Sequence, residues 1–201
     1  MTYFSQIFSP LTLSQAKHIV LTPDSTNLTK FEDDTDFLVN FILNNKLITE
    51  FDKVLDFGCG MGRISKPLIE KIGCTVIGLD TSLHMQIHAI NYVNNDKFDT
   101  VICYNTKDIN VVIASLVLQH VENPQTDINN IYNMLISNGI LILLDENIRY
   151  VPVGVDNDGY VKWYNDGINI IELVSKQFNC IGRYDYPNTT TKPLSVWRKS
   201  C

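Results

Sequence analysis

Lys53-Val-Leu-Asp-Phe-Gly-Cys-Gly-Met-Gly-Arg63 is the stretch that decides how the rest of the chain reads. Val54 and Leu55 form a short apolar run, and glycines then recur at Gly58, Gly60 and Gly62. Ile64, Leu68 and Ile72 follow four residues apart, the spacing of one helix face. Strand, glycine turn and helix in that order set a helix N-terminus beside a ligand. Glycine suits the turn because it accepts φ > 0 and lets the backbone come close to whatever binds. Pro67 fits a helix that begins near Arg63, since first-turn N–H groups have no intrahelical partner to lose. A dinucleotide fingerprint, G-x-G-x-x-G, needs its third glycine at position 63, where arginine stands.

Working outward, Cys74-Thr-Val-Ile-Gly-Leu-Asp80 is a second apolar run ending on an acid. Its spacing from the glycine turn is close to the roughly 20 residues at which a βαβ unit places a ribose-binding carboxylate. The pattern that stands here is therefore Asp56-x-Gly58-x-Gly60-x-Gly62 followed by Asp80. It resembles motif I, with its second acid, of the class I S-adenosylmethionine-dependent methyltransferases. Such a cofactor has no phosphate to cradle. It carries an ammonium at its amino-acid end and hydroxyls on its ribose, and one carboxylate suits each. The resemblance implies a cofactor site of Asp56, Gly58, Cys59, Gly60, Arg63 and Asp80, with Thr81 and Met85 near the ribose and adenine. For Met85 a core-facing helix position explains the residue equally well.

Composition bounds the class. At 201 residues the chain is long enough for one domain with a proper core. Hydrophobic residues make up 45% and charged residues 19%, as in ordinary globular proteins. A net charge of −6 argues against a phosphate-tracking nucleic-acid binder. No apolar run approaches the roughly 20 residues that span a bilayer, and Met1-Thr-Tyr-Phe-Ser lacks the flank and core of a signal peptide. The five cysteines are odd in number and show no C-x-x-C spacing, so neither a disulfide framework nor a zinc site is expected. The expected setting is cytoplasmic and reduced, with no membrane or nucleic-acid partner; oligomeric state is open.

Residues 1–50 read as a helical lid or cap and 51–201 as the catalytic domain. Leu11, Leu13, Ala16, Ile19 and Val20 predict a short helix, broken at Thr22-Pro23-Asp24-Ser25. A stronger helix is predicted from about Asp34 to Leu47, with Asp33 to Asp36 supplying cap and first-turn charge. After Asp80, Thr81 and Ser82 can cap a helix bearing Met85, Ile87, Ile90 and Val93. Strands are predicted at 100–105, 110–115, running on into 116–121, and 140–144, with a helix over Ile128–Ser137 closed by Asn138-Gly139. Too few residues separate the first two of these strands for a crossover helix, which departs from the family. Asn105 or Thr106 is the expected adenine contact. Arg149 to Asp166 reads as a polar loop studded with aromatics, and Cys180–Tyr186 with Leu194–Arg198 as a closing antiparallel pair. The expected fold is α/β: a Rossmann-like, doubly wound, mostly parallel seven-stranded sheet with an antiparallel last strand.

Strand ends collect ligands in such sheets. Asp56, Gly58, Gly60, Asp80, Asn105, Ser115, His120 and Asn147 all fall at or just past predicted ends, with Ser115 on the cofactor side. An Asn/Asp-Pro-Pro-aromatic element of DNA base methylation is absent, because Ala114-Ser115-Leu116-Val117 stands in its place. Gln119-His120, Asp145-Glu146-Asn147 and Val155-Asp-Asn-Asp158-Gly are similar to segments of the protein N-terminal α-amine methyltransferases. That similarity implies proton-accepting roles for His120 and Asp158 and a substrate-holding role for Asn147. Lining of the site explains His120 as well as a base does, and a solvated turn carboxylate explains Asp158. Asp145 and Glu146 find no third ligand, so no metal is expected. The expected function is methyl transfer from S-adenosyl-L-methionine to a small-molecule or exposed peptide-amine acceptor. The alternatives are a cofactor-binding regulator without turnover and a nicotinamide oxidoreductase.

Overall fold

The computed structural model describes residues 4–20, 29–146, 149–186 and 189–200, without the side chains of 189–192. Its elements run α1 (Leu13–Val20), α2 (Lys30–Asn44), β1 (Lys53–Phe57), α3 (Ser65–Ile72), β2 (Thr75–Leu79), α4 (Leu83–Val93), β3 (Phe98–Val101) and β4 (Ile109–Ser115). Then come α5 (Pro124–Met134), β5 (Leu135–Leu144), β6 (Tyr150–Val155), β7 (Val161–Asn165), α6 (Ile170–Ser175), β8 (Phe178–Tyr186) and β9 (Thr189–Lys199). Seven strands form one mostly parallel sheet in the order β3-β2-β1-β4-β5-β9-β8, with β9 antiparallel to both its neighbours. This is the expected α/β architecture. β6 and β7 form a separate two-stranded ribbon.

Two compact units divide the chain: Gln6–Cys103, and Tyr104–Cys201 with Met1–Ser5. In the first, β1 pairs with β2 and β2 with β3, all parallel. Their buried residues Val54, Leu55, Val76 and Leu79 face helices on a sheet of near-continuous apolar strands, as parallel sheets require. α3 stops at Gly73, whose φ of 81° makes a left-handed cap. α4 starts at Ser82, whose hydroxyl accepts the Met85 N–H. Ala16, Phe31, Met61 and Met85 form a cluster that joins α1 and α2 to the glycine loop and α4. The N-terminal helices thus belong to this unit.

In the second unit β4 and β5 are parallel, and Val111–Ala114 of β4 and Leu141–Leu144 of β5 are buried. Asn123 caps α5 by accepting the Thr126 N–H, with Pro124 in the first turn. Asn169 caps α6 by accepting the Glu172 N–H. Trp197 is buried on β9 and donates its indole N–H to Ser195 Oγ.

Several local expectations are corrected. Arg149 to Asp166 is a β-hairpin, not a loop: Tyr150, Val151 and Pro152 pair with Asn165, Tyr164 and Trp163. β-branched and aromatic runs flank an Asp-Asn-Asp-Gly turn there, which is itself a hairpin signal. β3 lies at 98–101 rather than 100–105, so Asn105 and Thr106 sit in a loop instead of at a strand end. β4 stops at Ser115 because Leu116 turns left-handed, φ 55°, and a short 3-10 turn at Leu118–His120 follows. α2 begins at Lys30 and α5 at Pro124, each four residues before the predicted start. α5 ends at Met134, before the left-handed Asn138. On α4, Ile87 and Ile90 are exposed, and Gln86 and Ala89 take the buried face. The predicted break at 22–25 and Asn147 lie outside the described residues.

Candidate active site

The glycine loop is built by three left-handed residues, Gly58 (φ 72°), Gly60 (φ 52°) and Gly62 (φ 82°). A side chain is strained at each. The Gly58 and Cys59 amides both donate to Leu79 O, at 2.7 and 3.0 Å, which ties the loop to the end of β2. Asp80 completes the tie: its Oδ2 accepts the Gly60 N–H at 2.9 Å and its Oδ1 the Ser82 N–H at 2.8 Å. Gln86 Nε2 donates to the Asp80 carbonyl at 2.6 Å, and Ser82 Oγ lies 3.4 Å from Ser9 Oγ of the N-terminal segment.

Asp56 is buried at the end of β1, where Ser65 donates its hydroxyl to Oδ2 at 2.6 Å. Burial raises its pKa to about 6, against the lowering effects of Ser65 and Arg63. Burial also raises that of Asp80, opposed by its two backbone amides. Arg63 donates to Thr35 Oγ1 at 2.9 Å and lies over the Phe31 ring. Met85 is buried within the apolar cluster, Cys59 is packed against Gly78, and Thr81 is exposed. So Asp56, the glycines, Cys59 and Asp80 come together, Met85 serves as core, and Arg63 braces α2.

These residues fit S-adenosyl-L-methionine. Each Asp80 oxygen accepts one amide and keeps lone-pair capacity, which two ribose hydroxyls can use. A cofactor ammonium brings positive charge to the region of a carboxylate, Asp56, that burial otherwise disfavours.

The second unit carries the remaining candidates. Glu146 N–H donates to Gln119 Oε1 at 2.9 Å, which fixes the orientation of that amide. Gln119 Nε2 therefore faces His120 Nε2 as donor, at 2.9 Å, and His120 Nδ1–H donates to Tyr150 O at 3.0 Å. A carbonyl can only accept, so the chain of bonds selects the neutral Nδ1–H tautomer. Trp163 of β7 lies 5.3 Å from the His120 ring, tilted at 49°, and stays 41% exposed. Sequence reading left Gln119 without a role, although it is the residue that sets the histidine.

Asp158 sits at the hairpin tip, donating its N–H to Asp156 Oδ1 at 3.0 Å. The structure places His120 against Trp163, while Asp158 lies in the turn between β6 and β7. Ser115 ends β4, with its hydroxyl unpartnered among the described residues. Arg149 is buried and anchors the hairpin, donating to Asp166 Oδ2 of the opposite strand's end and to Val121 O. Among the described residues no group of three or more His, Cys, Asp or Glu is placed to hold a metal, and no helix is long and apolar enough to cross a membrane.

A doubly wound sheet with a glycine turn after β1, an acid after β2 and an antiparallel β9 set between β5 and β8 is the architecture of the class I S-adenosylmethionine-dependent methyltransferases. The chain belongs to the family described as "Methyltransferase domain", which it matches over residues 29–182. Its cofactor is S-adenosyl-L-methionine. It is 27% identical over 124 residues to the carboxy-S-adenosyl-L-methionine synthase of Psychromonas ingrahamii, covering 55% of this chain and 51% of that one. The chain spans about half the length of the curated relatives it matches. Among solved structures it is similar to a protein of Pyrococcus horikoshii, with a TM-score of 0.69, 18% identity, and coverage of 91% of this chain and 96% of that chain. It is also similar to the N-methyltransferase NodS of Bradyrhizobium japonicum in complex with S-adenosyl-L-homocysteine. That match has a TM-score of 0.62 and 13% identity, covering 92% of this chain and 98% of that one. At these identities the structural likenesses bear on the fold alone.

Proposed function

We propose that this domain transfers the methyl group of S-adenosyl-L-methionine to a small acceptor or an exposed peptide amine, with an amine as the favoured nucleophile. One observation carries the choice of an amine: the His120 ring, held neutral by Gln119 and Tyr150, against the partly exposed face of Trp163. With both His120 ring nitrogens engaged, it is the Trp163 indole face that suits a cation. The cofactor supplies an electrophilic methyl group when bound. What remains for the chain is to hold the acceptor in line, exclude water and make a nitrogen lone pair available.

On this reading Asp56, the glycine loop and Asp80 hold the cofactor, and α1 and α2 act as a lid on that loop. His120 and Trp163 line the acceptor side. Asp158 and Asn147 are assigned, by similarity to the N-terminal amine methyltransferases, to the acceptor's charge and its positioning. The protein works in the cytoplasm and needs no nucleic acid.

The test is calorimetric titration with S-adenosylmethionine, S-adenosylhomocysteine and NADH, followed by a screen of amines for methylated product. Binding of the first two without NADH, and methylation of an amine, is expected. Binding of NADH alone would overturn the reading. A second reading is favoured by the name of the curated relatives, carboxy-S-adenosyl-L-methionine synthase. In it the cofactor is itself the molecule changed, and mass spectrometry of the spent cofactor separates the two.

A further inference from the structure

Pro152 stands inside β6 although it has no N–H to give to a ladder. It pairs with Trp163 across the ribbon, so its backbone must face away from β7. Two bonds bear this out. Phe4 N–H donates to Pro152 O at 2.9 Å, and His120 Nδ1–H donates to Tyr150 O at 3.0 Å. Carbonyls two residues apart in a strand point to the same side, so both bonds lie along the outer edge of β6. At about 3.3 Å per residue, the two carbonyls stand about 7 Å apart.

Phe4 and Ser5 belong to the same compact unit as this ribbon. Among the described residues a single backbone hydrogen bond joins Phe4 to β6; Phe4 is half-buried and Ser5 exposed. A main-chain N–H on an outer strand carbonyl is the contact by which an extended chain adds to a sheet edge. The surroundings suit such a chain. Trp163, opposite Pro152, is 41% exposed and lies against the His120 ring. Further along β6, a Cβ at Gly154 would meet nothing within 4 Å and Val155 is exposed, which leaves room for side chains.

We infer that the outer edge of β6 is a strand-addition site for an extended peptide, and that residues 4–5 hold the peptide's place on it. An incoming peptide gives one of its own amide N–H groups to Pro152 O, and Phe4 leaves. This rests on the reading that His120 and Trp163 line the acceptor side, and it narrows that acceptor to a peptide. Main chain is what the edge recognises, so many sequences fit; Trp163 adds a preference for an apolar or cationic side chain.

Exchange of the two occupants breaks one hydrogen bond and makes one, so they compete on nearly equal terms. The resident segment lowers the apparent affinity of a peptide by the fraction of chains it leaves open.

The test is fluorescence titration of the full chain, without cofactor, with two synthetic peptides. One is Thr-Tyr-Phe-Ser-Gln, which copies residues 2–6. The other carries N-methyl-phenylalanine at its centre, keeping every side chain but losing the N–H that Phe4 uses. The first peptide is expected to bind and to shift the Trp163 emission to the blue, a shift absent in Trp163→Phe. Trp197, the other tryptophan, is buried on β9 and reports little. The N-methylated peptide should bind more weakly by about fivefold or more. Phe4→Pro removes the resident's donor and should tighten the first peptide about two- to tenfold. Equal binding of the two peptides, no binding of either, or unchanged or weaker affinity in Phe4→Pro would each overturn the inference. Comparing the two peptides on the wild-type chain needs no variant to fold. Methylation of small amines alongside any of these failures would leave the proposed function standing and remove only the peptide site.

Discussion

Asp80 Oδ2 accepts the Gly60 amide at 2.9 Å, so the acid that closes β2 also clamps the glycine loop that follows β1. Its other oxygen holds the Ser82 amide at the start of α4. One carboxylate thus sets the positions of a loop and a helix N-terminus, and any ligand it binds meets a preformed surface.

Asp80→Asn keeps the volume but turns one of two acceptors into a donor facing an N–H. S-adenosylhomocysteine affinity is expected to fall by about ten- to a hundredfold, or about 1.4 to 2.8 kcal/mol. Calorimetric titration of the two proteins side by side checks it, and equal affinities would remove Asp80 from the site.

Gly78 offers a way to disturb the same loop from beneath. A Cβ there would stand 2.7 Å from Cys59 Sγ and 3.0 Å from the Phe98 ring. Gly78→Ala should push Cys59 and its loop outward, lowering cofactor affinity and costing about 1–3 kcal/mol of stability through overpacking. Gly78→Ala/Cys59→Ala should recover part of both, as urea unfolding and titration will show.

Arg149 is buried and anchors the hairpin to Asp166 and to the Val121 carbonyl. Removing it as Arg149→Leu leaves those acceptors unpaired and should cost about 3–5 kcal/mol. Limited proteolysis is expected to cut first within 150–165, and a cleavage pattern identical to wild type would refute the anchoring role.

Asp145 gives stability a pH signature. Its folded pKa is raised from 3.8 to about 8, so between those values the folded state keeps a proton that the unfolded state has lost. Stability must therefore fall as pH rises through this window, levelling off above it. Asp145→Asn lacks that term. Its melting temperature should exceed the wild type's at pH 8 and approach it at pH 4 to 5, since Asp56 contributes equally to both proteins. Parallel melting curves across pH would contradict the burial of this acid.

Much of the fold is written locally. Alternating glycines behind Val54-Leu55, an acid at Asp80, and Ser82 at a helix start each act through their own backbone or a neighbour a few residues away. Each is therefore readable without knowing what packs where. The hairpin at 150–165 carries a local turn signal at Asp156 to Gly159, but its polar and aromatic composition reads equally as a loop; its pairing register depends on cross-strand contacts. Met85 shows the same limit: its helical phase is legible, but burial against Ala16 and Phe31 depends on where the N-terminal helices fold back.

Sequence by itself determined the α/β class, the glycine turn, the acids that end the first two strands and the antiparallel strand, because these follow from residue type and short-range spacing. Tertiary structure decided what Gln119, Asp145 and Arg149 do. Gln119 becomes the residue that fixes the His120 tautomer only when Glu146 N–H meets its oxygen, 27 positions away. Asp145 becomes a perturbed acid only when burial strips it of water, and no local pattern of residues encodes burial.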